Sequence, residues 1–323
     1  MPPSSAQELA VLQAVTYAAL FDYPLTLRQL RDSLGVAVAD EETILKWWRA
    51  SALLQAAIEY RDGLFIPAGG ADLALTRARR EAFSRQMLDR DRHVLAFLSR
   101  MPFVRMVALS GSLAHLNAEG VADLDLFVIT SPNRVWCVTL TTLIVARLLG
   151  WRQRLCLNYV ISERRMAIEP ADLFSANQII HLRAVFGHDL YVRFVEANAF
   201  VARYYPNFRP SAGSGLRAPG SGLLERVLSM GMAQVAERVA RAAYGWHLKR
   251  RSSTWRSRDQ VRLEPECLKL HTSSHRADTL ARFDAAMKTA LSEGRPRSSR
   301  NQDREEREEP LAKTLESLVP FVV

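Results

Sequence analysis

The chain has 323 residues, 48% apolar and 24% charged, enough to bury a sizeable core across two or three domains and too apolar for a disordered chain. Cys137, Cys156 and Cys267 lie far apart without Cys-x-x-Cys spacing, and the seven histidines show no ligand spacing, which disfavours a disulfide scaffold or a zinc site. The net charge is +9, and its placement along the chain matters more than its total.

The opening Met1-Pro2-Pro3-Ser4-Ser5 lacks the basic and apolar regions of a secretory signal, so a cytoplasmic protein is expected. Leu9, Leu12, Val15, Ala19 and Leu20 recur at helical spacing. A second short helix is expected over Leu27 to Leu34, stopped at Gly35, and a third runs from its cap Asp40 through Trp47 to Leu53. Ala56 to Tyr60 and Leu64 to Pro67 read as strands joined by an Asp62-Gly63 turn. Three helices and a hairpin resemble a winged helix over residues 1–75. Five basic residues against nine acidic ones give this module a charge of −4, the wrong sign for neutralising phosphates. Sequence-specific DNA binding is therefore not expected of it.

Thr76 to Ser99 is expected to form one linking helix. It carries arginines at 77, 79, 80, 85, 90 and 92 and an apolar stripe of Phe83, Met87, Val94, Leu95 and Leu98. An apolar strand from Val104 to Leu109 then leads into Ser110-Gly111-Ser112 and a short helix from Leu113 to Asn117. Free N–H groups at such a turn can cradle phosphate oxygens; Gly111 permits close approach and the Ser112 hydroxyl can donate. On the following strand, Asp123 and Asp125 flank Leu124 and project to one face. Paired carboxylates repel unless a cation lies between them, and this oxygen pair suits Mg²⁺ or Mn²⁺ sharing its shell with water and phosphates. The alternative reading is a solvated edge of a surface strand.

Val135 to Gly150 is apolar but too short and too interrupted to cross a membrane, and it has the place of a helix between two strands. Leu155 to Ile161 reads as the second of those strands. Leu173 to Arg183 and Leu190 to Tyr204 follow as helices, where Asn177, Gln178, His181 and Asn198 are expected to serve packing or capping rather than base contact. Residues 209–222 read as a flexible linker by composition. A long helix is expected from Leu223 to about Lys249, burying Val227, Leu228, Val235, Val239, Ala242, Ala243 and Trp246.

Residues 201–262 hold twelve basic side chains against three acids, a difference that equals the net charge of the chain. There Lys249-Arg250-Arg251 and Trp255-Arg256-Ser257-Arg258 are either a solvated basic loop or a surface that stacks on a base and neutralises phosphates. Cys267 to His271 and a helix from Arg276 to Leu291 close the region 223–292. Residues 293–310 are charge-rich without apolar spacing, and 311–323 is expected as a short helix in a mostly disordered tail over 293–323.

An apolar strand ending in Gly111-Ser112, with Asp123-Leu124-Asp125 on the next, resembles the DNA polymerase β-type nucleotidyltransferase superfamily. Arg105 to Ala108, Leu113-Ala114, Asn117, Arg134 to Trp136, Cys156 to Tyr159, Ser175 to Asn177 and Pro206-Asn207 extend the likeness to a bacterial group of nucleotidyltransferase-domain proteins. The resemblance covers residues 95–210. It implies an α/β (α+β) chain: a small mixed-sheet nucleotidyltransferase domain over 76–208, flanked by the winged-helix-like module and a C-terminal helical region. It implies a transfer of a nucleoside monophosphate from a nucleoside triphosphate to an acceptor that the sequence does not specify. Asp123 and Asp125 would hold the metal, Gly111 and Ser112 would bind the phosphates, and Ser110 and Arg134 would lie near the triphosphate. A third carboxylate is usual in such enzymes, yet Asn158 holds its place, and an amide cannot act as a base near neutral pH. Glu163, five residues on and expected to point to the opposite face, and Glu169 and Asp172 in the next loop are the substitutes within reach. The other reading is a catalytically silent scaffold that binds nucleotide or a protein partner.

Overall fold

The computed structural model describes residues 3–70, 72–120, 122–210, 232–255, 257–258, 261–270 and 276–293. The linker expected beyond 210, the helix start at Leu223, Arg256, His271 and the tail beyond 293 lie outside the described residues.

The N-terminal part holds α1 (Ser5–Ala19), β1 (Leu25–Thr26), α2 (Leu27–Asp32), α3 (Glu41–Ala50), α4 (Ala52–Ala57), β2 (Ile58–Arg61) and β3 (Leu64–Pro67). The expected third helix stops short because Ser51 is extended, at φ −110° and ψ 113°, and its hydroxyl accepts the Leu54 N–H at 3.1 Å to start a fourth. Asp62 and Gly63 both take positive φ, which matches the twist of a two-residue hairpin, and β1 pairs with β3 to complete an antiparallel sheet in the order β1-β3-β2. Val11, Leu30, Leu34, Ile44, Leu54 and Phe65 form a sealed core beneath it.

The linking helix divides into α5 (Leu73–Arg90) and α6 (Arg92–Arg100). Asp91, wholly buried, interrupts it: its carboxylate pairs with Arg90 and with Arg154 at 3.4 Å, and a buried carboxylate held by two cations fixes the break. Met87, Val94, Leu95 and Leu98 of the expected stripe are buried.

The centre is a six-stranded mixed sheet of β4 (Val104–Leu109), β5 (Leu124–Thr130), β6 (Leu155–Ser162), β7 (Arg183–Phe186), β8 (Val261–Glu264) and β9 (Cys267–Leu270), ordered β7-β4-β5-β6-β9-β8. Only β5 and β6 run parallel, and a parallel pair requires a crossover, supplied by α8 (Val135–Leu148). Between β4 and β5 lies the single turn α7 (Gly111–Ala114), two residues earlier than expected. The helix expected to reach Arg183 ends as α9 (Leu173–Ile180), and β7 takes up an edge of the sheet. Gly187 makes that possible: at φ +75° it lies so close to the Arg105 carbonyl that an added Cβ would come within 2.2 Å. Beyond it, α10 (His188–Ala197) and α11 (Val201–Tyr204) are separated at Asn198, whose amide bonds the Met166 and Phe194 carbonyls and the Ile168 N–H.

Strand alternation sorts the sheet residues onto two buried faces. Val107, Leu124, Leu126, Val128 and Val160 meet α6 and α8, while Met106, Ala108, Phe127, Ile129 and Ile161 meet α9 to α11.

The region expected to be helical beyond 223 instead combines α12 (Met232–Arg250), the β8-β9 hairpin and α13 (Arg276–Glu293). The hairpin continues the central sheet from β6, and α13 sends Phe283 and Met287 into the N-terminal core. On α12 the expected stripe faces outward, with Val235 60%, Val239 59% and Trp246 60% exposed. The buried face carries Ala233, Ala240 and Glu237. The Glu237 carboxylate accepts the N–H groups of Trp136 and Cys137 at 2.9 and 2.8 Å, so it caps the first turn of α8 from a neighbouring helix. Gly245 lies against the Trp136 ring, and the small residues let the helices approach. No described helix is long and apolar enough to cross a membrane.

Glu237→Ala leaves two helix-start donors without a partner and should lower unfolding free energy by about 2 kcal/mol in chemical denaturation. Glu237→Gln, which keeps acceptor capacity on one oxygen, should cost less.

Candidate functional site

The antiparallel pairing of β4 with β5 sets Leu109 opposite Leu126, so the chain leaving β4 passes directly beside Asp125. The Ser110 N–H donates to the Asp125 carbonyl at 2.8 Å. Gly111, at φ +65°, presses so closely on the Asp125 side chain that a Cβ there would lie 2.5 Å from Oδ2. Conformation and space both require glycine at this point. Gly111 and Ser112 are exposed, and Ser110 is half-buried.

Asp125 is half-buried within β5, whereas Asp123 is exposed just before the strand begins. The Asp125 carboxyl is raised above its ordinary value, chiefly by burial and next by the negative charge of Asp123, with hydrogen bonds from Asn158 and Cys156 opposing the rise. No basic side chain is among the causes.

On the other side, β6 pairs in register through Asp125 with Cys156 and Leu126 with Leu157, but Phe127 then pairs with Tyr159. Asn158 is the extra residue of a β-bulge, and the bulge brings its amide to Asp125: Nδ2 donates to Oδ1 at 2.6 Å. The Asn158 Oδ1 faces the Cys156 sulfur at 2.9 Å. Burial and the charges of Asp125 and Asp123 push the Cys156 thiol up to about 11, which keeps it protonated and a donor. Asn158 thus holds Asp125 in place, with its oxygen turned towards sulfur. In the sequence Cys156 stands out only as part of the Cys156-to-Tyr159 stretch of the resemblance, with no role of its own.

β6 ends at Ser162, so strand alternation does not set the side of Glu163. Distance excludes Glu163 instead. It follows the end of β6, pairs with Arg105 at 3.6 Å, and lies beside Thr130, five strand residues or roughly 17 Å from Asp125. Asp172 caps α9 and pairs with Arg276, and Glu169 is exposed in the preceding loop. Among the described residues no cluster of three His, Cys, Asp or Glu side chains forms a metal site.

Arg134 is not brought to the bend. It follows the far end of β5, is 8% exposed, and lies over the Phe103 ring at 4.8 Å while donating to the Asn133 carbonyl. The linking-helix arginines 77 and 80 also turn elsewhere. Arg77 lies over the Tyr23 ring and Arg80 pairs with Glu119 at 2.7 Å, tying α5 to the N-terminal loop and the loop after α7.

Two half-buried histidines pack behind the bend. The His115 ring, just after α7, lies 4.3 Å from that of His181 at the end of α9, and Tyr23 contacts His115 edge-on. The His181 Nδ1–H donates to the Asn177 carbonyl at 2.8 Å, and burial lowers His181 to about 4 and His115 well below its usual range. Asn177 is buried against the Tyr205 hydroxyl and Gln178 is exposed. The Asn117 amide reaches back to the Phe21 carbonyl at 2.9 Å, so the N-terminal loop clamps the same turn.

Comparison with protein families, with characterised proteins and with solved structures returns no match.

Because both histidines are neutral when folded, the unfolded chain binds more protons below pH 6.5. Stability is complete above that value and should fall as pH drops towards about 4. Thermal melts between pH 7.5 and 4.5 should show His181→Leu losing less stability over this window than the unaltered protein.

Proposed function

We propose that this protein is a metal-dependent nucleotidyltransferase with the mixed-sheet fold of the polymerase β-type superfamily and a winged-helix-like N-terminal module. It moves a nucleoside monophosphate from a nucleoside triphosphate to an acceptor hydroxyl. The observation that carries this reading is Asp125, paired electrostatically with Asp123 and packed directly against the exposed Gly111-Ser112 bend.

The residues fit one hard divalent cation. Burial and the charge of Asp123 raise the Asp125 carboxyl, and Mg²⁺ or Mn²⁺ held by the two carboxylates would relieve that cost while leaving room for phosphate oxygens and water. Such an ion would supply charge neutralisation for the triphosphate and the departing pyrophosphate. The chain does the positioning. Asn158 and Cys156 fix the Asp125 carboxylate, Gly111 leaves room for a phosphate, and the Ser110 and Ser112 hydroxyls offer donors to it. The acceptor oxygen forms a bond to the α-phosphorus, the bond to the bridging β-oxygen breaks, and pyrophosphate leaves with that electron pair. With no third carboxylate beside Asp125 among the described residues, the hydroxyl proton passes to water.

Asn158 favours a second reading, a silent scaffold that binds nucleotide without turning it over, because an amide cannot accept that proton. The charge of −4 over residues 1–75 favours protein contact over DNA for the N-terminal module under either reading.

Incubation with Mg²⁺ or Mn²⁺ and α-labelled nucleoside triphosphates should release pyrophosphate and label an acceptor, and Asp125→Asn should lower the rate by about 100-fold or more. Gly111→Ala should impair turnover comparably by displacing the carboxylate. Triphosphate binding without turnover selects the scaffold, and the absence of metal-dependent binding overturns both readings.

A further inference from the structure

A cleft of about 860 Å³ opens between α8, α12, the start of β6 and the turn that ends at Trp255. Its wall includes Cys156 and Asn158, the residues that hold Asp125. Arg147, Arg152 and Arg251 line it and, among the described residues, no carboxylate does. Tyr244 and Trp255 supply aromatic surface. Three cations of this kind favour an anion, and guanidinium groups match phosphate oxygens in pairs. The volume suits a nucleotide-sized ligand, well beyond a bare phosphate.

Its position assigns the ligand a role. The strand order β4-β5-β6 sets the Gly111 bend on one flank of Asp125 and, on the other, β6, whose Cys156 and Asn158 border the cleft. Displacement at phosphorus proceeds with entering and leaving oxygens roughly in line. A triphosphate whose leaving end rests on the bend therefore receives its acceptor from the cleft side. Resting on the nucleotidyltransferase reading, we infer that this cleft is the acceptor site and that the acceptor carries a phosphate and a planar ring, as a nucleotide does. Arg147, Arg152 and Arg251 hold the phosphate, and Tyr244 or Trp255 takes the ring. A free nucleotide and the end of a nucleic-acid strand share this chemistry.

The test is fluorescence anisotropy on the full chain in EDTA, using labelled AMP and a labelled five-nucleotide oligoriboadenylate. At least one probe should bind, and Arg152→Ala or Arg251→Ala should weaken it about tenfold, with Trp255→Ala also weakening it. Arg152→Glu, a surface change, should weaken it further. Binding of AMP identifies a free nucleotide as sufficient, and binding of the oligonucleotide alone identifies a strand end; both support the site. No binding of either probe, or binding indifferent to the arginines, overturns the proposal while metal-dependent triphosphate binding still upholds the parent reading. Competition by triphosphate that Arg152→Ala abolishes would make the cleft the triphosphate site and overturn the acceptor role. Arginine-dependent probe binding with no pyrophosphate release under any condition would leave an anion cleft and sink the enzymatic reading instead.

Discussion

The contact between Gly111 and the Asp125 carboxylate is the constraint on which the candidate site depends. It exists because β4 and β5 pair antiparallel, so the chain just past the end of one strand runs beside the second residue of the next. Any side chain at 111 would displace the carboxylate, and any other backbone conformation there would turn the bend away from it. One missing Cβ thereby ties a turn able to meet phosphate to an acid able to meet a cation.

The far side of Asp125 is governed by a different device. The bulge in β6 adds one residue, Asn158, at the level where the carboxylate needs a partner. The same extra residue resets the alternation downstream and frees the start of β6 to border the arginine-lined cleft. An amide at this place leaves the carboxylate charged and oriented, so the site's chemistry rests on two acids and on whatever cation and phosphates they share.

Buried polar groups, more than apolar matching, decide how the outer elements dock. Glu237 chooses which face of α12 meets α8, Asp91 sets the angle between α5 and α6, and the His115-His181 pair joins α7 to α9. Each is a group that is costly to bury without its partners, and each reaches at least one partner far away in the chain. The outward face of α12 shows the consequence, since Val235, Val239 and Trp246 stay exposed so that Glu237 can reach two N–H groups.

What the sequence determined is local: the Asp62-Gly63 hairpin, the β4 and β5 strands around Gly111-Ser112 and Asp125, the crossover helix, and the packing roles of Asn177 and Asn198. These follow from alternation, capping and turn chemistry within a few residues. Tertiary structure alone decided the rest. Arg134 reads as a neighbour of the acids by its place in the chain but sits at the opposite end of the strand. Glu163 lies beyond the end of β6, where alternation counted from Asn158 no longer applies, and β7, β8 and β9 are too short to show a period before a neighbouring edge pairs with them. Arg147, Arg152 and Arg251 span two helices and a loop, and only the pairing of β6 with β9 and of α8 with α12 turns them into one surface.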